Sequence, residues 1–166
     1  MAKALFVIAP KDFKDPEYYT PKEILENAGV EVTTASLKEE AVSVDGKVQK
    51  VDVLLEDVNT DYDVIIFVGG AGASAYFDNA KAHELAKEMT KDGKVIAAIC
   101  IAPSTLANAG LLEGRNVTSF PSQENNIKAK GANYTAEAVT VDGKIITAMN
   151  PAAAEEFGNE IVKALS

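Results

Sequence analysis

Continuous apolar runs alternate along this chain with stretches in which apolar residues recur every three or four positions. Ala4-Leu-Phe-Val-Ile8 contains no polar residue and predicts a strand covered on both faces. Asp63-Val-Ile-Ile-Phe-Val68 and Lys94-Val-Ile-Ala-Ala-Ile99 have the same character, and Val30–Ala35 and Asn116–Phe120 predict two further strands. The helical pattern falls on five segments. Pro16–Ala28 has Asp15 as its expected N-cap, Pro16 at the first position and Gly29 as its stop. Asn79–Thr90 aligns Ala82, Leu85, Ala86 and Met89 on one face and is closed by Gly93. Pro103–Ala109 ends at Gly110, and Gln123–Lys130 and Pro151–Leu165 complete the set. Two Asp-Gly pairs, Asp45-Gly46 and Asp142-Gly143, sit inside β-type residues and predict hairpins over 42–49 and 138–147.

This alternation predicts an α/β fold: a mostly parallel central sheet with helices on both faces and two added hairpins. No linker or repeat interrupts it, so residues 1–166 read as a single domain. Ligands on such sheets bind at the carboxyl ends of the strands. That rule selects three segments: Pro10–Glu17, Gly69–Ser74 and Cys100–Pro103.

Composition narrows the chemistry. With 16 basic against 25 acidic residues, a net charge of −9 argues against nucleic acid or an anionic membrane as partner. A single Cys excludes an intrachain disulfide, and a single His excludes any mechanism that needs two. The opening residues carry no signal-peptide pattern and no apolar run approaches a membrane span, so the expected location is cytoplasmic.

Cys100 lies between a buried strand and a helix start, in Ala98-Ile-Cys-Ile-Ala-Pro103, where a nucleophile elbow would sit, although Gly-x-Ser-x-Gly is absent. The following helix N-terminus is expected to lower the thiol's pKa, with the N–H groups of Ile101 and Gly70 as oxyanion donors. A free Cys is also often a small buried hydrophobe, and position alone leaves both readings open. Gly69, Gly70 and Gly72 lack the dinucleotide spacing, and no helix is expected close behind them.

Several stretches together, in order, are similar to the ThiJ/PfpI superfamily, closest in style to its intracellular protease/amidase branch. They are Asp12-Phe-Lys-Asp-Pro-Glu17 through Pro21, Val68-Gly-Gly-Ala-Gly-Ala73, Ala97-Ala-Ile-Cys-Ile-Ala-Pro103, Leu106–Gly114, Lys130-Gly-Ala132, Val141-Asp-Gly143 and Asn150–Phe157. The resemblance covers nearly the whole chain. It implies a flavodoxin-like three-layer sandwich, a catalytic Cys100, and a protonated Glu17, four residues before Pro21, touching the thiol. Without the resemblance, Glu17 is only an acidic residue in a helix's first turn. It also implies a pocket lined by Tyr18, Gly69, Ala71, Phe120 and Pro121, rimmed by Ser74 and Tyr76. Neither a metal at Asp12, Asp15 and Glu17 nor any other cofactor is expected. The implied partners are a small-molecule or protein-adduct substrate and a second copy of the chain, in a dimer or a higher homo-oligomer.

The protease branch places a His directly after the cysteine, where this chain has Ile101, and another branch uses a His near the position of Phe120. The only His, His83, lies far from the thiol along the chain and reads as a surface or rim residue. Glutamine amidotransferase activity needs a His after the Cys and is excluded. The expectation is a stress-associated protein with a reactive Cys100, acting on reactive carbonyls in a glyoxalase- or deglycase-like way or sensing oxidation. Cysteine peptidase or amidase activity and a non-catalytic, chaperone-like binding role are the alternatives.

Overall fold

The computed structural model describes residues 1–166. Its elements are, in order, β1 (Lys3–Val7), β2 (Lys11–Phe13), α1 (Asp15–Asn27), β3 (Glu31–Ser36), β4 (Glu40–Ser43), β5 (Val48–Lys50), β6 (Val53–Leu54), β7 (Val64–Phe67), α2 (Ala80–Lys91), β8 (Val95–Ile99) and α3 (Pro103–Asn108), followed by β9 (Asn116–Val117), α4 (Glu124–Ala129), β10 (Asn133–Tyr134), β11 (Val139–Asp142), β12 (Ile145–Ala148) and α5 (Ala154–Leu165). Seven strands form the central sheet in the order β11-β12-β8-β7-β1-β3-β6, and every pairing but β11–β12 is parallel. Helices α1 and α5 pack together on one face and α2 and α3 on the other, so the sheet is covered on both sides, as its apolar strands require. Strands β7 and β8 bury every residue. This is the mostly parallel α/β sheet expected from the alternation of elements, and the flavodoxin-like sandwich that the resemblance implied. No helix is long and apolar enough to cross a membrane.

The two hairpins have different fates. In the second, β12 adds in parallel to β8 and is fully buried. In the first, β4 and β5 join β2 in a separate three-stranded sheet that leaves Val42, Val44 and Val48 exposed. Three expectations are corrected. Asp15 is the first residue inside α1, not its N-cap: Lys14 flanks the helix, and the Asp15 carboxylate accepts from the Asp45 N–H of the first hairpin instead. The strand expected over 116–120 stops at Val117, because the Thr118 N–H turns to the Thr147 hydroxyl and the Phe120 N–H to the Cys100 carbonyl. A 3-10 helix, Ala71–Tyr76, follows Gly70 directly where no helix was expected.

Candidate functional site

Strand β8 runs straight into Cys100, whose backbone takes a left-handed φ of 66°. Such a conformation costs a non-glycine residue about 1–2 kcal/mol. Two hydrogen bonds pin it: the Cys100 N–H donates to the Ala148 carbonyl (2.9 Å), and the Cys100 carbonyl accepts from the Phe120 N–H (2.8 Å). The strain turns the side chain out at the sheet's carboxyl edge, toward the N–H groups of Gly70 and Ile101. The thiol remains largely buried, with 9% of the residue exposed.

Glu17 reaches the same point from α1 and is fully buried. Pro21, one turn on, has no N–H to offer the Glu17 carbonyl, so this stretch of helix is loosened where the carboxyl is presented. The carboxyl faces the Cys100 thiol and the Gly69 N–H, yet neither of its oxygens completes a well-aligned hydrogen bond. Gly69 makes the approach possible: a Cβ there would collide with Glu17 Oε1, Cys100 Cβ and the Ile99 carbonyl. Gly70, at φ 102°, lies against the Asp12 carbonyl and the Lys14 N–H, where a Cβ would not fit. The Lys14 N–H in turn donates to the Gly69 carbonyl at 3.0 Å.

Burial pushes the Glu17 carboxyl up to about 7, against the opposing pull of Cys100, Lys14 and the Gly69 N–H. Burial, and then the Glu17 charge, push the Cys100 thiol up to about 12; the N–H groups of Gly70 and Ile101 pull the other way and lose. This direction is opposite to the lowered thiol pKa expected from a helix N-terminus. Helix α3 has only six residues, and desolvation of the sulfur is the largest influence on the thiol. The two acids are coupled. While Glu17 keeps its proton, its charge is absent and its O–H can donate to the sulfur, so a thiolate forms more readily beside the neutral acid than beside the carboxylate.

The structure thus brings Cys100, Glu17, Gly69, Gly70 and Ile101 together. Tyr18 does not line a pocket: it is fully buried, edge-on to Phe6 and Phe13, with its hydroxyl 2.7 Å from Thr34 Oγ1. Tyr76 is likewise a core residue, donating to the Ile8 carbonyl at 2.6 Å. Ala71, Ser74 and Pro121 are exposed. Phe120 is 41% exposed and is tied to the elbow through its backbone. None of the surface depressions is lined by these residues. Asp12, Asp15 and Glu17 do not converge on a metal site. The His83 ring lies 2.8 Å from the Phe77 carbonyl, in a depression with Asp78, Glu84, Lys87 and Glu88 that contains no elbow residue. Lys14, the cation that acts on Glu17, went unnoticed in the sequence, because nothing local marks a loop lysine as a neighbour of a buried acid.

A cysteine at a strand–helix elbow of a flavodoxin-like sheet, facing a buried carboxyl, defines a class of α/β thiol proteins. Residues 2–164 match the DJ-1/PfpI family, and the chain belongs to it. It is 43% identical to an uncharacterised protein of Methanocaldococcus jannaschii over 169 residues, covering 99% of this chain and 82% of that one. It is 32% identical to a Pyrococcus abyssi protein named as a deglycase, covering 97% of this chain and 98% of the relative. The solved structure of a ThiJ/PfpI domain protein from Brachyspira murdochii superposes with a TM-score of 0.95 at 32% identity, covering 98% of this chain and 95% of that one.

Proposed function

We propose that the protein is a thiol-dependent enzyme acting on small reactive carbonyl compounds, with Cys100 as nucleophile and Glu17 as proton carrier. The observation that carries this reading is the buried Glu17 carboxyl held against the thiol and still able to keep its proton near neutral pH. The deglycase relative supports the substrate class. An α-oxoaldehyde is small enough for a thiol that is only 9% exposed. The Cys100 sulfur adds to the aldehyde carbon and the thiol proton passes to the aldehyde oxygen, which gains charge two bonds from the sulfur, near the N–H groups of Gly70 and Ile101. Glu17, as the carboxylate, then takes the proton from the former aldehyde carbon and returns it to the adjacent carbon, while the hydroxyl proton moves to the ketone oxygen, giving a thioester of a 2-hydroxy acid. Water cleaves it to the free acid and restores the thiol. Methylglyoxal should be consumed with formation of lactate, and Cys100→Ser should lower the rate by roughly 100-fold or more. No consumption, or activity that survives Cys100→Ser, overturns the reading.

A second reading, oxidation sensing, is favoured by the three donors around the sulfur: two backbone N–H groups and the protonated Glu17. They suit the oxygens of a sulfinate. Under peroxide, wild type should gain two oxygens by intact mass and Glu17→Gln should stop short of that state or overshoot it; identical products in both would remove this role. Peptidase activity has no such support at the elbow, since Ile101 cannot transfer a proton and His83 is engaged elsewhere. A homo-oligomer is supported by the exposed Val42, Val44 and Val48 on the first hairpin. Light scattering of Val48→Lys should show a smaller particle than wild type, and an unchanged mass would place any interface elsewhere.

A further inference from the structure

Two carboxyl groups occupy the first turn of α1, and they live in opposite surroundings. Glu17 faces the sulfur. Asp15 faces away, into the tip of the first hairpin, and is only 7% exposed. Its Oδ1 accepts from the Asp45 N–H at 3.1 Å, while its Oδ2 is buried without a partner. The Ser43 hydroxyl and the Lys47 ammonium also favour its ionised form, although burial opposes it. The same tip is fastened to the chain just before α1, where the Val44 N–H donates to the Phe13 carbonyl at 2.9 Å. One turn along α1, the Tyr19 hydroxyl donates to Gln49 (3.1 Å) and the Lys47 ammonium sits 4.7 Å from the Tyr19 ring centre. Contacts of the hairpin loop therefore land on residues 13–19, the segment that carries Glu17.

The other side of that segment is clamped as well. The Lys14 N–H is bonded to Gly69, and the Asp12 carbonyl presses on Gly70. Asp12 itself has a left-handed φ of 61°, so the chain enters the helix through a strained turn. A strained segment keeps its place only while its neighbours over-determine it. Asp15 supplies the one side-chain hydrogen bond between the helix's first turn and the hairpin backbone.

We infer that Asp15 is a positioning residue: by locking the 43–47 hairpin onto the first turn of α1, it holds the Glu17 carboxyl against the Cys100 thiol. This rests on the reading that Cys100 and Glu17 form the reactive pair. It makes the reactivity of the thiol depend on the hairpin, whose backbone does not itself touch the sulfur.

The test is the pH dependence of iodoacetamide alkylation at Cys100, followed by intact mass. Wild type, Glu17→Gln, Asp15→Ala and Asp15→Asn are compared, with thermal melts to confirm that each is folded. Glu17→Gln removes the carboxylate that opposes thiol ionisation, so the pH of half-maximal rate should fall by about one unit or more, roughly a tenfold gain in rate at fixed pH. Asp15→Ala should move the profile in the same direction by at least about threefold in rate, because a freed Glu17 no longer faces the sulfur. Asp15→Asn keeps an oxygen to accept from the Asp45 N–H and should restore the wild-type profile. A merely structural role would lower the melting temperature and leave the profile alone. If Glu17→Gln moves the profile and Asp15→Ala does not, the inference is overturned and the reactive pair stands. If Glu17→Gln does nothing, both fall. If Asp15→Asn behaves as Asp15→Ala, the hydrogen bond to the hairpin is not the lock, and the inference is overturned.

Discussion

The body of the central sheet and its carboxyl rim are built on opposite terms. In the body, β1, β7 and β8 are in unbroken parallel register, and apart from Lys3 at the start of β1 their side chains are apolar and almost wholly enclosed. At the rim a few residues away, Asp12, Gly70 and Cys100 all have left-handed backbone, and a fully buried glutamate lacks a well-aligned partner. The body supplies burial and regular hydrogen bonding. The rim stores strain and an unfavourable charge, and it keeps its shape because the body over-determines it. Stability and reactivity therefore lie in adjacent but separable parts of one sheet.

Substitutions should divide along that line. Ile66 is fully buried in β7, and Ile66→Ala should cost about 2–5 kcal/mol in a denaturant melt while leaving the pH profile of Cys100 alkylation unchanged. A shifted profile would show that body and rim are not separable. Glu17→Gln should do the reverse and stabilise the fold at high pH. The folded Glu17 pKa is raised from 4.5 to about 7, so the folded state binds the proton more tightly than the unfolded chain. That advantage is complete below 4.5 and is lost as pH rises through 7. Above pH 7 the wild type bears a penalty of about 3 kcal/mol that the amide escapes. The gap between variant and wild type should thus be largest at pH 8 and should narrow toward pH 4; a gap independent of pH would mean that Glu17 is not buried as an acid.

Gly69→Ala adds a methyl group between Glu17, Cys100 and the Ile99 carbonyl. Overpacking of this kind costs about 1–3 kcal/mol, and here it should also separate the acid from the thiol. Melting and alkylation should change together, and a change in melting alone would place the carboxyl elsewhere. The smallest effect concerns the elbow's backbone. Cys100→Gly should be about 1 kcal/mol more stable than Cys100→Ala, because glycine accepts the φ of 66° without a Cβ penalty. Equal stabilities would show that the turn relaxes when the thiol is removed.

Much of the body was legible in the residues. Continuous apolar runs marked β1, β7 and β8, and Asp-Gly pairs marked both hairpins, because period and turn chemistry are local properties. Strand β2, Lys11-Asp-Phe13, carries no such pattern and is a strand only because β4 lies beside it. Asp15 looked like a helix cap for the same reason in reverse. Its chemistry suits a cap, but the hairpin claimed its carboxylate.

By itself, the sequence determined the order and type of the main elements, the placement of Cys100 at the end of a buried strand, and the lack of a histidine beside it. Local spacing carries that information. Spacing alone left Glu17 an ordinary first-turn acid, and only the resemblance set it against the thiol; the tertiary structure decided that Tyr18 turns into the core and that burial pushes the thiol's pKa up. Desolvation and charge contact depend on what surrounds a group in space, and residues distant in sequence supply those surroundings.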